Sequence, residues 1–338
     1  MRLGAAVGGV LKSETLSDGR EVAVVVLERG RHRVELLGIG AATRDWRVQR
    51  RDGAEQRIIL GLPSVEAYLG NPHYMGIIAG RVANRIAGAS FCIEGRRHVL
   101  VPNEGRNLLH GGAKGLGRRL WQAEIDTAGS AVCFRRHAPD GEDGFPGAVD
   151  FEVIVRLSDT GLSYEMHARP DRPTPISLAQ HNYYNLGPGP TILDHWLRVA
   201  ADRWTPVGPD LIPTGAIAPV PERLDFRPGA VIADKDPDGC GIDVNLLLER
   251  NRDPAAPVAE LRGAGGLGLR LRTDQPAMQV YTGSGLGGQG SAPRFGGICL
   301  EPQFPPDAAN QSQFGDIVHT PERPYFQHLR VDIFEGDS

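Results

Sequence analysis

Three stretches of this chain gather titratable and hydroxyl-binding side chains beside turn-formers, in a sequence of otherwise plain strands. The first runs Gly80-Arg81-Val82-Ala83-Asn84-Arg85-Ile86 and is followed by Asn103 to Gly112, which carries Asn107 and His110. The second is Gln180-His181-Asn182-Tyr183-Tyr184-Asn185-Leu186-Gly187, and the third runs from Cys299 through Glu301, Gln303 and Asp307 to Asn310. Imidazole and carboxylate exchange protons near neutral pH, while Arg, Asn and Gln bind hydroxyls. Singly, each residue also has a structural explanation. A histidine is often a hydrogen-bonded scaffold residue, Glu301 before Pro302 would end a strand, and Arg81 with Arg85 would form a solvated face. His110, His181 and Glu301 are distant in the chain, so their types alone support a polar cleft on a β scaffold and no more.

The elements that would position such a cleft are short strands. The 44 glycines and 26 prolines punctuate the chain at close intervals, and runs with strand character lie between them at 21–27, 33–37, 151–157, 162–168, 267–272 and 277–281. In Leu267-Gly268-Leu269-Arg270-Leu271-Arg272 the leucines share one face and the arginines the other, the period of a half-buried strand. Helical periodicity is scarce; 64–69 could form one short helix capped by Ser64. This pattern predicts an all-β protein, a large antiparallel β-sandwich. Nothing in 1–338 reads as a low-complexity linker, and a surface loop explains 252–266, rich in Ala, Pro and Gly, as well as a domain boundary does. One domain is the simpler organisation.

Bulk properties narrow the partners. With 37 Lys and Arg against 41 Asp and Glu, the net charge of −4 leaves no basic footprint for nucleic acid or anionic lipid. No run approaches the ~20 apolar residues that span a bilayer. The apolar start Met1 to Val7 is interrupted at Lys12 and Glu14, so a signal peptide is not expected. Cys92, Cys133, Cys240 and Cys299 lack paired spacing, which suits reduced, structural thiols and a cytoplasmic protein. Gly263/Gly265/Gly268 and Gly283/Gly285/Gly288 match the spacing of a dinucleotide-binding loop. That motif works only between a strand and a helix, and here the first triplet runs into a strand and the second toward Ser291-Ala292-Pro293. They read as turns.

Taken together and in this order, the polar stretches resemble the aldose 1-epimerase (galactose mutarotase) family, whose members carry Gly-Arg-x-x-Asn-Arg-Ile, Asn-x-Leu-His-Gly-Gly, a His-x-Tyr-Phe-Asn-Leu segment and Leu-Glu-x-Gln. The likeness takes in Lys114 to Trp121, Asp143 to Gly147, Asp194-His195 and Leu211 to Gly215, and so spans most of the chain from Gly76 to Asn310. It implies a single β-supersandwich and anomer exchange in a free monosaccharide with no cofactor and no metal, by a monomer or homodimer. By the same resemblance Glu301 is the general base and His181 the general acid. His110 lies near the ring oxygen, Arg81 and Asp243 hold hydroxyls, and Asn84 and Gln303 are further contacts. Tyr183 or Phe304 could stack on the sugar. The chain departs from the family pattern at Gln180, Tyr184, Ile242, Val244 and Pro305, none of them a proton-transfer group, which leaves the preferred sugar open. A non-catalytic sugar binder and a sugar-phosphate epimerase using Arg118, Arg119, Arg135 and Arg136 are the competing functions.

Overall fold

A computed structural model describes residues 8–126, 128–253, 255–288 and 292–336. Three antiparallel sheets dominate it. The largest has nine strands, in the order Gln122–Ile125, Ala131–Ala138, Val149–Leu157, Gly161–Pro170, Tyr325–Glu335, Leu267–Thr273, Ala259–Arg262, Trp196–Val199 and Ala230–Val231. A six-stranded sheet runs Tyr183–Tyr184, Ile298–Gln303, Ala277–Tyr281, Asp243–Leu248, Ala201–Trp204 and Ala218–Pro219, and a five-stranded meander covers Gly8–Thr15 to Glu55–Arg57. The all-β sandwich expected from the alternation is the fold found.

Side-chain alternation explains how the layers close. Val153, Val155, Leu269 and Leu271 of the nine-stranded sheet, Val280 and Leu300 of the six-stranded sheet, and Val25 and Val34 of the meander all join one apolar core. Burying a large aliphatic side chain contributes ~1.5–3 kcal/mol, so each inward-facing row holds its strand in register. A slip by one residue would turn the whole row outward. The six expected strand segments all fall within observed strands, with ends moved by two residues or fewer.

Two expectations need correction. The segment 64–69 is only a 3-10 turn over Glu66–Leu69, with Ser64 Oγ accepting the Ala67 N–H at 3.2 Å. The second half of 252–266 is not loop but the strand Ala259–Arg262, which pairs with Leu267–Thr273. Its Ala259 and Leu261 face the core, an alternation too short to stand out in the surrounding Ala, Pro and Gly. Gly263 and Gly265 lie in the intervening turn, closed by the Gly263 N–H donating to Leu267 O at 2.9 Å. Gly283 and Gly285 leave the strand Ala277–Tyr281 without starting a helix. Met1 to Val7 and Ser291 lie outside the described residues. No helix among those described is long and apolar enough to cross a membrane.

Candidate active site

The six-stranded sheet buries both faces of its central strands. Ile298, Leu300, Val280 and Val244 point into the core, so the period of two sends Cys299, Glu301, Gln279, Tyr281 and Asp243 to the opposite face. Register then sets their neighbours. Glu301 lies opposite Gln279, Tyr281 opposite both Cys299 and Asp243, and Tyr183 opposite Cys299. Over this face fold the segments around Tyr74, Asn84, His110 and Leu211. All four residues have positive φ, at 55°, 59°, 49° and 60°, a region that side-chain-bearing residues adopt sparingly and that clusters at functional sites.

Between the sheet and these segments lies a cavity of about 320 Å³, lined by His73, Tyr74, Asn84, Arg85, His110, His181, Tyr183, Leu211, Asp243, Gln279, Tyr281 and Glu301, among others. It is at the lower end of the ~300–1,000 Å³ typical of ligand sites. A larger hollow of about 600 Å³ lies on the nine-stranded sheet among Arg135, Arg136, His137, Asp150 and Glu152. Its charges pair with one another or with nearby acids, Arg135 to Glu152, Arg136 to Glu142 and His137 to Asp150, so it holds a network of paired surface charges. The poised groups are in the smaller cavity.

His181 and Glu301 meet there, with Nε2 3.7 Å from Oε1, and both are almost wholly buried. The other ring nitrogen, Nδ1, is 3.5 Å from Cys299 Sγ. Burial lowers the His181 pKa to about 4. Burial, reinforced by the Asp243 charge, raises that of Glu301 well above the usual carboxylate range, against the pull of Arg85. The two shifts leave a pair that holds one proton between them. His110 is different. Its backbone N–H donates to Asn84 O at 2.9 Å, and its Nδ1 accepts the Asn84 N–H at 3.2 Å; the second bond places the imidazole proton on Nε2. Burial, His181 and Arg85 together hold this ring neutral, so His110 is a hydrogen-bond donor. Asp243 accepts from Gln279 Nε2 at 2.6 Å; burial raises its pKa and that hydrogen bond opposes the rise.

Of the residues selected from sequence, Glu301, His181, His110, Asp243, Asn84 and Tyr183 line the cavity. Arg81 does not, and the expectation that it holds a sugar hydroxyl is corrected. Its guanidinium lies between the Phe145 and Phe151 rings, and Nη1 donates to Pro146 O, Gly147 O and Thr174 Oγ1 at 2.9, 3.0 and 3.1 Å. Arg85 lines the cavity in its place, held by Glu104 through Nε at 2.6 Å and Nη2 at 2.8 Å. Gln303 is corrected as well. It shares the face of Glu301 but lies about 7 Å further along the strand, buried outside the cavity with Nε2 donating to Phe304 O. Phe304 is outside too. Arg85, Gln279, Tyr74 and Tyr281 were missed. Arg85 sits in the same motif as Arg81 and nothing local separates them, while Gln279 becomes visible only through its pairing with Glu301.

Comparison with known proteins identifies the family. Residues 23–332 match the family described as aldose 1-epimerase. The chain belongs to that family. Among its relatives are human galactose mutarotase, 34% identical over 332 residues covering 95% of this chain and 96% of that protein, and the aldose 1-epimerase of Escherichia coli strain K12, 33% identical over 83% of this chain and 85% of that one. An aldose epimerase homologue from C. elegans superposes with a TM-score of 0.86 at 26% identity, covering 99% of this chain and all of that one.

Proposed function

We propose that the chain interconverts the α and β anomers of a free aldose, with Glu301 and His181 moving the protons. The observation that carries this is the buried His181–Glu301 pair, 3.7 Å apart at the wall of a cavity of monosaccharide size. Mutarotation takes a proton from the anomeric hydroxyl while another reaches the ring oxygen. The ring opens to the aldehyde, the C1–C2 bond turns, and closure on the other face returns both protons. Both shifts favour the pair's one proton on Glu301, so it first crosses to His181; Glu301 then accepts the first proton and His181 delivers the second. After closure the pair again holds one proton, so the cycle needs no external acid or base. In a site drier than bulk water these interactions are strengthened. The His110 Nε2–H donates toward the ring oxygen, and Arg85, Asp243, Gln279 and Asn84 hold the remaining hydroxyls through charge-assisted and amide hydrogen bonds.

A free sugar fits better than a sugar phosphate. Among the described residues Arg85 is the one Arg or Lys in the cavity wall, and it is already paired with Glu104. Arg119, Arg135 and Arg136 bind acids away from the cavity, and Arg118 lies over the Tyr74 ring. The free thiols, with Cys92 and Cys240 at the surface, suit a cytoplasmic, reducing setting. The test is polarimetry on freshly dissolved α-aldoses and the matching 6-phosphate. Glu301→Gln and His181→Asn are each expected to lower turnover by ~10²–10⁴-fold, the contribution of a positioned proton transfer, with folding retained by circular dichroism. Full activity in both variants would refute the assignment.

A further inference from the structure

Anomer exchange employs the carboxylate and the imidazole but leaves unused the thiol packed against them. Cys299 and Glu301 are two residues apart on the strand Ile298–Gln303 and project from one face. His181 lies across both, its Nδ1 3.5 Å from Cys299 Sγ and its Nε2 3.7 Å from Glu301 Oε1. One donor atom from each of the three side chains falls within 4.8 Å of the others. All three side chains are buried, and Glu301 Oε2 has no hydrogen-bond partner among the described residues.

We propose that this trio is a binding site for a soft divalent cation of the zinc type, so that such a cation is a reversible inhibitor of the enzyme. Thiolate, imidazole and carboxylate are the donors zinc takes, at ~2.0–2.3 Å in a tetrahedron whose edges are then ~3.3–3.8 Å. The trio therefore has to contract by about an ångström, within the reach of side-chain rotation. The unpartnered Glu301 oxygen and the adjacent Asp243 carboxylate supply charge that a cation relieves. Entry is through the cavity, where His181 and Glu301 form the wall and Cys299 the layer behind them. On binding, the Cys299 S–H proton and the proton shared by Glu301 and His181 leave to solvent. Thiolate, carboxylate and one neutral ring nitrogen then hold the ion, and the fourth position is left to water. Magnesium, which demands six oxygen ligands, is not accommodated. Binding stands on the geometry alone; inhibition rests on the proposed function, because the ion occupies both proton-transfer groups.

The experiment titrates the chelator-treated full chain with zinc chloride by calorimetry and follows mutarotation in parallel. One equivalent of zinc is expected to bind the wild type, competitively with excess aldose. Cys299→Ala removes a direct ligand, so it should weaken binding and raise the inhibitory zinc concentration by at least about tenfold, the least that losing even an outer partner of a metal site costs, with activity read relative to its own metal-free rate. Cobalt(II) added to the wild type should give a sulfur-to-cobalt charge-transfer band, which needs no variant to fold. Equal zinc binding by wild type and Cys299→Ala, or absence of that band, overturns the proposal. A metal-free wild type with no mutarotation would instead overturn the functional reading, and calorimetry and cobalt absorption would still decide the metal site.

Discussion

Arg81 and Arg85 stand four positions apart and end in different surroundings. Among the described residues Arg81 meets no carboxylate at hydrogen-bond distance; three oxygens of the 146–174 region accept from its Nη1, and burial lowers its pKa to about 10. Replacing it with Met leaves those acceptors unpaired, at about 1–3 kcal/mol for a buried group, so a lower melting temperature with an unchanged KM is expected. Arg85→Lys loses the fork that grips Glu104 while facing the cavity. Steady-state kinetics should show a raised KM at nearly native stability. Glu301 carries a different signature. Its folded pKa lies above the unfolded value of 4.5, so folding favours the protonated form. Stability is then full below pH 4.5 and falls as pH rises toward the folded pKa. Glu301→Gln removes that loss. The variant should melt higher than wild type at pH 7–8, with the difference shrinking below pH 4.5, even as turnover collapses.

At the scale of elements, the site is a register effect. Asp243, Gln279 and Glu301 come from three strands whose core-facing residues are aliphatic, and their mutual approach follows from hydrogen-bonded pairing that keeps polar side chains on one face. The opposite wall is held by local devices. Asp307 Oδ1 accepts from the Ala87 N–H at 2.9 Å and its own N–H donates to Arg85 O at 2.8 Å, so the chain after Glu301 clamps the segment bearing Asn84 and Arg85. Gly111 follows His110 at φ 81°, and a Cβ there would meet Gly80 O at 1.9 Å. The His110 turn thus packs backbone to backbone against the Gly80 segment, which fixes the His110 ring at the cavity wall.

For the whole molecule, the main core draws residues from all three large sheets, from Val25 to Ile333. We infer that the chain unfolds as one unit, and expect a single transition common to near-ultraviolet dichroism and calorimetry. Two separate transitions would show independent domains. Strand positions and the all-β class were legible in the linear order, because period-two alternation is a local property of a chain; Glu301, His181, His110, Asp243 and Asn84 were picked out through the family resemblance of their motifs, and the fold brings them to one cavity. The choice of Arg85 over Arg81, the exclusion of Gln303, the recruitment of Gln279 and the contact of Cys299 with His181 were decided by tertiary structure alone. Each depends on which strands pair and where a segment folds over the sheet, and those are contacts between residues whose separation along the chain carries no information about their distance in space.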